Sequence, residues 1–342
     1  MPRIPIFLNK LLIISTLALI IVVSNVGKSL AADDSSEVFN PAELINHHIL
    51  DDYLWHFWNG HYGTLYLPVI LYRSDKGLIV FSSHNFFDAD HNILDYEGYR
   101  YEHGHLSSID GSSFVDFSIT KNVLFLFINA TVLLLVFFAV ARGYKKNVGK
   151  APEGIQSFFE PIIVFVRDEI VRPNIGPKYE RFLPYMLSLF FFIWFGNLLG
   201  LMPGAANLTG NIAVTSILAM FTFVLTMINT NRNYWQHIFN TPGVPWWLKL
   251  PVPLLPAVEV IGIFSKPFSL LLRLFVAITA GHIVVLSLIS LTFIFQSYSV
   301  GILSALVTTF INLIELLVAT IQAYVFTLFS SMYIGMAMEE EH

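Results

Sequence analysis

The chain has 342 residues, of which 55% are hydrophobic and only 13% charged, and its mean hydropathy is +0.64. Soluble domains carry about 25% charged residues, so this composition predicts an integral membrane protein. The sequence contains no cysteine, which excludes disulfides and thiolate metal sites, and its formal net charge of −5 comes without the basic tract typical of nucleic-acid binding.

Residues 1–31 are predicted to be a signal peptide. Two basic residues precede the apolar run Leu11 to Val23, and the small residues around Ala31 offer a cleavage site. The run is shorter than the roughly 20 residues that a spanning helix needs, and its length is typical of a signal-peptide core. Cleavage would place residue 32 onward outside the cytoplasmic membrane of a bacterium. A retained membrane anchor flanked by Lys28 is the alternative.

Residues 32–117 predict a small external domain of mixed α/β structure. Pro41 to Trp58 has the amphipathic pattern of a helix, whereas residues 64–71 and 77–82 are β-prone runs separated by a polar turn, which predicts a hairpin. Eight of the eleven histidines lie in this region. Their spacing fits no defined set of metal ligands, so exposed loop histidines are the favoured interpretation and a metal site at His103–His105 is the alternative.

Val123 to Ala141 is the first predicted membrane span. Four basic residues follow it directly, at positions 142, 145, 146 and 150. Short loops rich in lysine and arginine lie on the cytoplasmic side, so this end of the span is predicted to face the cytoplasm. The external domain at its other end then lies outside, in agreement with a signal peptide.

The next segments predict one interfacial helix and two further spans. Gly154 to Val171 is amphipathic, and its charges interrupt an apolar face, so it is predicted to lie along the cytoplasmic interface. Phe182 to Leu201 and Ile212 to Ile228 are apolar enough to cross the membrane. Residues 202–211 between them would form a short external loop.

The last two predicted helices, Pro256 to about Phe295 and Ile302 to about Met338, are unusually long. At 1.5 Å per residue they would measure about 60 and 55 Å, against a hydrocarbon core of about 30 Å. Their apolar character along most of that length favours steep tilt over protrusion. The predicted fold class is therefore an all-α polytopic membrane protein of about five membrane helices in residues 118–342, with the interfacial helix and the external domain added, and with a cytoplasmic C-terminus.

Arg273 is the first functional candidate, because it heads an apolar run without formal charge, from Leu274 to Phe295. An arginine at membrane depth costs about 2.5–3.5 kcal/mol on insertion scales, so a carboxylate or a passing ion is its expected partner. Glu259 and Lys266 precede it at intervals of seven residues and share one helix stripe. Both also fit a local ion pair or snorkelling anchors at the interface.

Further polar residues lie within the last two helices. His282 lies nine residues after Arg273. On the final helix, Asn312 lies three residues before Glu315, and Gln322 lies seven residues after it. Ionisable residues inside membranes often mark ion or proton paths. His282 also fits a core histidine, and Gln322 and Asn312 also fit helix–helix hydrogen bonds. No nucleophile–base pattern, phosphate loop or metal-ligand cluster occurs in the spans, so the pattern indicates a pathway rather than an active site.

Several motifs identify a family. The central one runs Ser265-Lys-Pro-x-Ser269-x-x-x-Arg273-Leu-Phe and ends in Ala-Gly-His282. It is supported by His48-Ile-Leu-Asp51, Asn197-Leu-Leu-Gly-Leu-x-Pro203, the run Asn207 to Thr215, and Gln322-Ala-Tyr-Val-Phe. With these motifs the chain resembles the a-subunit family of the rotary F-type ATP synthases. The resemblance covers about residue 47 to the end and says little about the external domain.

The resemblance implies a proton-conducting, non-catalytic stator subunit in a bacterial inner membrane, without a cofactor. Its partners would be the c-ring, the peripheral-stalk b subunits, the rest of the ATP synthase complex and the lipid bilayer. The alternatives are a self-contained proton-coupled transporter and a membrane-anchored assembly protein that functions through its external domain. No inverted repeat supports the transporter, and the assembly protein leaves the intramembrane charges unexplained.

The resemblance also implies roles for single residues. Arg273 would face the carboxylates of the ring, His282 and Glu315 would line the half-channel from the outer side, in the exchanged order found in part of the family, and Gln322 would lie beside Arg273. Glu259 would belong to the cytoplasmic exit, and Asn312, Lys266 and Ser269 are secondary candidates. The sequence departs from the family at Ala277, where asparagine is usual; Asn312 or Thr279 could replace that polar group.

Overall fold

The computed structural model describes residues 41, 50–56, 63–87, 93–102, 104–202, 204–231, 234–235 and 254–338. The predicted signal peptide and most of the predicted histidine-rich helix lie outside these residues. Two parts are described: a small β-rich region up to residue 116, and long helices from residue 121 onward.

The β-rich region, which the sequence predicts to be external and which is called the external region below, consists of short antiparallel strands. The strands are β1 Leu54–His56, β2 Thr64–Tyr66, β3 Pro68–Arg73, β4 Gly77–Ser82, β5 Tyr99–Glu102, β6 His105–Ser108 and β7 Val115–Asp116. One two-stranded sheet pairs β1 with β2, a three-stranded sheet has the order β4-β3-β7, and another two-stranded sheet pairs β5 with β6. A 3₁₀ turn covers Ser83–Phe86.

The predicted hairpin is confirmed. β3 and β4 pair without a bulge from Pro68↔Ser82 to Arg73↔Gly77, and Gly77 has a φ of 77°, which suits a residue without a side chain. The buried Arg73 guanidinium binds the Asp75 carboxylate in the turn with two hydrogen bonds of 2.5 and 2.6 Å. These bonds hold the pKa of Asp75 at about 2.

The predicted helix from Pro41 to Trp58 is wrong over its final turn, because Leu54–His56 forms β1. This strand pairs with Thr64–Tyr66, and the Trp55 side chain is buried. Strand pairing and tertiary burial therefore override the helical spacing of the apolar residues.

Aromatic residues fill the core of the external region. Tyr53 and Tyr101 are buried there, and their rings meet edge to face at 6.4 Å. The Tyr53 hydroxyl donates to Asp116, and the Tyr101 hydroxyl donates to the Asp52 carboxylate at 2.6 Å. Burial, together with these carboxylates, raises the pKa of both phenols, so each stays a hydrogen-bond donor.

The external region is joined to the first long helix, α1 (Lys121–Lys146), by a helix cap that comes from outside the helix. The Asp51 carboxylate accepts hydrogen bonds from the Asn122 backbone N–H at 3.1 Å and from the Thr120 hydroxyl at 2.8 Å. The Lys121 ammonium donates to the carbonyl of Leu50 at 3.1 Å. A carboxylate at a helix N-terminus satisfies free N–H groups and the helix dipole, so Asp51 anchors the region to the membrane part.

Four helical segments of the described chain are long and apolar enough to cross a membrane, which is typical of a polytopic membrane protein. They are Lys121–Lys146, Ile155–Gly200, Val258–Phe295 and Tyr298–Met338. The third predicted span, Ile212–Ile228, is present as α5 and has 17 residues, fewer than each of these four segments. The last two helices, α6 (Leu254–Phe295, 42 residues) and α7 (Tyr298–Met338, 41 residues), confirm the predicted lengths.

The segment Ile155–Gly200 is helical almost without interruption, although the sequence predicts two separate elements. It begins with α2 (Ile155–Phe165), widens into a π-helical turn at Val166–Val171, and continues through α3 (Arg172–Ile175) and the 3₁₀ turn Gly176–Lys178 into α4 (Tyr179–Gly200). Gly176, with a φ of 76°, marks the change of direction before α4. An interfacial position of its first part stays a prediction.

The membrane core forms where α4 and the π-helical turn pack against α7. Met186, Phe191 and Phe326 are buried there with the apolar side chains of the π-helical turn, Val166, Ile170 and Val171. The Ser331 hydroxyl donates to the carbonyls of Leu328 and Ile170. Small residues on α7 thus let it approach the neighbouring backbone closely, as at other helix contacts in membranes.

We expect Gly335→Ala to destabilise the protein by about 1–3 kcal/mol, because the added methyl group would collide with the backbone oxygen of Asn174. The control is Gly200→Ala, whose methyl group would meet the Ala206 oxygen at an ordinary 3.5 Å. Thermal inactivation of the purified protein measures the difference. Equal inactivation temperatures for the two variants would contradict the close crossing of α7 over residue 174.

Candidate functional site

The site is built on the hairpin of α6 and α7. The two helices are separated only by Gln296 and Ser297, and Gln296 adopts a φ of 43° at the reversal. The Ser304 hydroxyl of α7 donates to the Leu288 carbonyl of α6 and fixes the register near the turn. This antiparallel register brings the predicted polar residues of the two helices together.

His282 and Glu315 meet across the hairpin. The distance between His282 Nδ1 and Glu315 Oε1 is 3.7 Å, and the Glu315 side chain is 6% exposed. Oε1 has no hydrogen-bond partner among the described residues. The predicted pairing of these two residues is thus present in the structure, with a gap slightly longer than a hydrogen bond.

Gly281 makes room for the Glu315 carboxylate. A Cβ atom at position 281 would lie 2.5 Å from Glu315 Oε1 and 3.0 Å from its Cδ. Real Cβ atoms do not approach other atoms this closely, so any other residue at position 281 would displace the carboxylate.

Arg273 lies two to three turns before His282 and is held by an aromatic ring of α7. Its guanidinium carbon is 4.1 Å from the centre of the Phe329 ring, which is a close cation–π contact. The side chain is half-buried, and its Nη1 has no hydrogen-bond partner in the described part of the chain. No carboxylate of the described residues forms an ion pair with it.

Gln322 lies midway between Glu315 and Phe329 on α7, seven residues from each, and therefore shares their face of the helix. Its Oε1 is buried without a protein partner where the chain is described. Thr279 on α6 likewise has a buried hydroxyl oxygen without a partner. Buried polar atoms of this kind are uncommon in folded proteins, so those of Glu315 and Gln322, on one face of α7, mark a polar strip in an apolar helix.

The structure does not place all predicted residues in this strip. Asn312 and Ser269 are exposed on the outer surfaces of α7 and α6. Ala277 is half-buried; of the two polar residues that could compensate for it, Thr279 has a buried hydroxyl oxygen, whereas Asn312 is exposed.

Lys266 and Glu259 belong to a second polar region near the start of α6. The Lys266 ammonium lies 5.5 Å from the Tyr333 ring centre and 5.9 Å from that of Tyr234. Beside it is an open cleft of about 300 Å³, whose polar lining comes from Thr222, Thr226, Tyr234, Lys266 and Tyr333. Glu259 is half-buried and lies seven residues, or about two helical turns, before Lys266.

Asn197 is a functional candidate whose contacts the sequence did not predict. It is buried in α4, where its amide donates to the Ala319 carbonyl of α7 at 3.2 Å and its Oδ1 accepts from the Thr209 hydroxyl at 2.7 Å. The sequence shows the asparagine within an apolar span, but only the tertiary structure identifies its partners. Phe329 and Gly281 were missed as site residues for the same reason.

Among the described residues, no group of three His, Cys, Asp or Glu side chains could hold a metal ion. The site therefore offers one fixed positive charge, a buried carboxyl beside an imidazole, and unpaired polar atoms between them. These groups can receive and pass on protons, since histidine and carboxyl groups both bind protons reversibly.

Comparison with known proteins adds the family. The model of the ATP synthase A chain family matches residues 123–335, and a domain of unknown function matches residues 44–123. The chain is 41% identical to ATP synthase subunit a of Chloroherpeton thalassium over 74% of this chain and 77% of the relative. It is 42% identical to ATP synthase subunit a 2 of Chlorobaculum tepidum, over 72% and 71%, and 41% identical to ATP synthase subunit a of Pelodictyon phaeoclathratiforme, over 73% and 75%.

We expect Gly281→Ala to push the Glu315 carboxylate out of its buried position, because the new methyl group would occupy the space of Oε1. Labelling of Glu315 by a water-soluble carbodiimide, measured by mass spectrometry, should become faster than in the unmodified protein. Ala280→Gly is the control, because residue 280 is exposed and adjacent. Unchanged labelling in Gly281→Ala would contradict the contact between residues 281 and 315.

Proposed function

The chain belongs to the ATP synthase A chain family, and from that premise we propose which of its residues carry protons and how. It is the proton-conducting stator subunit of an F-type ATP synthase, and it is a multi-pass membrane protein within that complex. A self-contained transporter is not favoured, because the relatives are all subunits of this complex.

The observation that carries the proposal is the environment of Arg273. Its charge is backed by the Phe329 ring and has no carboxylate partner within the described chain. An arginine inside a membrane needs such a partner. Its partner is a carboxylate of a neighbouring c subunit, which passes Arg273 as the ring turns.

Protons reach the ring from outside through a half-channel at His282 and Glu315. The buried carboxyl and the imidazole are 3.7 Å apart, close enough for a proton to pass with a small side-chain movement or through one water molecule. Gln322, with its unpaired polar atom, extends this polar strip along α7 toward Phe329 and Arg273.

A c-subunit carboxylate that takes up a proton becomes neutral and can then rotate through lipid. An ionised carboxylate cannot, because the transfer of a charge into hydrocarbon is strongly unfavourable. After almost a full turn it reaches a second half-channel and releases the proton to the cytoplasm. The cleft beside Lys266 and the nearby Glu259 are the candidates for this exit.

Arg273 separates the two half-channels. Its permanent charge favours the ionised form of each arriving ring carboxylate and so lowers the pKa of that carboxyl, and it repels protons that would pass directly between the channels. Each proton contributes about 2.3 kcal/mol per 100 mV of membrane potential. Several protons must therefore combine for each ATP molecule.

The proposed orientation follows from the charge pattern. Exposed basic residues at the end of α1, Arg142, Lys145 and Lys146, favour a cytoplasmic position for this end of the helix. The external region then faces the periplasm of a bacterial inner membrane, α2 runs along the cytoplasmic interface, and the C-terminus is cytoplasmic. The peripheral-stalk b subunits would bind the other membrane helices, away from the face that α6 and α7 turn toward the ring.

We expect Arg273→Ala to abolish ATP synthesis coupled to proton flow and to raise passive proton leak, because the barrier between the half-channels is removed. Arg273→Lys should also fail, since a compact ammonium that can lose its proton does not replace a permanently charged planar group. The measurement is proton uptake and ATP synthesis in vesicles containing the complex, under an imposed potential. The exposed Arg142 provides the control Arg142→Ala, and normal coupling in Arg273→Lys would refute the proposed role.

We expect Glu315→Gln to slow ATP-driven proton pumping by about 100-fold, the contribution of one proton-transferring group. The amide is close to isosteric with the carboxyl, so the complex should assemble and hydrolyse ATP when uncoupled. Glu169→Gln, at an exposed glutamate of the π-helical turn, is the matched control. Pumping at the unmodified rate in Glu315→Gln would remove Glu315 from the path.

A further inference from the structure

The external region, which matches only a domain of unknown function, makes one deep contact with the membrane part. Trp55 of β1 is 6% exposed, and its indole N–H donates to the carbonyl of Gly204 at 2.6 Å. Its ring meets Phe125 of α1 edge to face at 6.3 Å and packs with Ala206 and Leu208. Trp55 therefore holds the loop that joins α4 to α5.

This loop is in turn fixed to α4. Leu208 is fully buried, and it lies so close to Gly196 that a Cβ atom there would be 3.2 Å from the leucine side chain. The next residue, Thr209, is 1% exposed and donates its hydroxyl hydrogen to Asn197 Oδ1 at 2.7 Å. A displacement of the loop would therefore leave the buried Asn197 without one of its partners.

Asn197 connects α4 to the helix that carries Glu315. Its amide donates to the carbonyl of Ala319, which is fully buried and lies one turn after Glu315 on the same face of α7. Trp194, one turn earlier on α4, donates to the Thr320 hydroxyl at 3.2 Å. Because the interior is closely packed, these contacts transmit small shifts rather than absorb them.

We propose that the external region positions the proton-accepting Glu315, with Trp55 as the positioning residue that acts through the α4–α5 loop, Thr209 and Asn197. This inference rests on the proposed role of Glu315 in the outer half-channel. Without the Trp55 contact, the loop and the Asn197 bridge loosen, and the turn of α7 around residue 315 loses its fixed distance from His282. Trp55 itself neither donates nor accepts a proton on the path.

The test compares Trp55→Phe with Tyr53→Phe in the complete complex, reconstituted in vesicles. Trp55→Phe keeps an aromatic ring against Phe125 but removes the N–H donor together with part of the buried indole volume. Tyr53→Phe removes one hydrogen bond inside the same region, to Asp116, and leaves the loop untouched. The readouts are the external proton concentration that gives half-maximal ATP synthesis and the maximal rate.

We expect Trp55→Phe to raise the half-maximal proton concentration by about two- to tenfold, the factor that corresponds to one net hydrogen bond. The maximal rate should change less, because Arg273 and the exit are distant from the loop. Tyr53→Phe should change neither quantity. Thr209→Val, which breaks the next link, should give the same shift as Trp55→Phe, and the double variant should give no larger shift, because both changes break one chain of contacts.

Three outcomes would overturn the inference. They are an unchanged half-maximal concentration in Trp55→Phe, equal changes in Trp55→Phe and Tyr53→Phe, and shifts that multiply in the double variant. If Trp55→Phe does not assemble, Thr209→Val alone decides, and a normal half-maximal concentration there contradicts the positioning role. Glu315→Gln, measured in parallel, tests the function itself, so failure of the positioning role and failure of the proton path are distinguishable.

Discussion

The structure depends on one charge, that of Arg273, which no carboxylate among the described residues neutralises. Arg273 lies within a long apolar helix at a cost of about 2.5–3.5 kcal/mol, and the described chain offers it an aromatic ring instead of a carboxylate. Phe329 can stabilise the guanidinium from one side while the other side stays available. An internal carboxylate would form a permanent ion pair and leave no attraction for a passing one. In the proposed function, the lack of a carboxylate partner where the chain is described is what leaves Arg273 available to a carboxylate of another subunit.

A second constraint is the closeness of α6 and α7. Polar atoms without partners are tolerated between two helices only if the surrounding packing is well defined. Glycine at position 281 and the small residues on α7 provide this packing, because they let side chains from the opposite helix enter the interface. The carboxyl of Glu315 occupies the space at Gly281, which places it near His282 without a direct hydrogen bond. A pair at this separation can exchange protons without becoming locked in one ionised state.

The sequence predicted the long helices to within a few residues, because apolar runs without charges have no other stable arrangement in a membrane. Arg273, His282 and Glu315 could also be predicted as a group, since ionisable residues are so rare at that depth. The continuous segment from Ile155 to Gly200 was missed, because the charges at Arg167 to Glu169 suggest an interruption, whereas the backbone only widens into a π-helical turn there. The strand at Leu54 was missed because the pocket for Trp55 comes from distant parts of the chain. Phe329, Gly281 and the bridge through Asn197 are likewise tertiary contacts that spacing cannot reveal.

In the proposed positioning role, the Asn197 bridge links the external region to the carboxyl of Glu315. The loop between α4 and α5 is short and buries Leu208 and Thr209, so it cannot shift without breaking contacts on both sides. Trp55 and Asp51 fix the outer ends of this loop and of α1 from the external region, one through an indole donor and the other through a helix cap. The two contacts leave α6 free of any described attachment to that region, although α6 carries Arg273 and faces the moving ring in the proposed function. In the proposed function, these contacts fix the helices that hold Glu315 in place, and α6 keeps its apolar outer surface for the rotor.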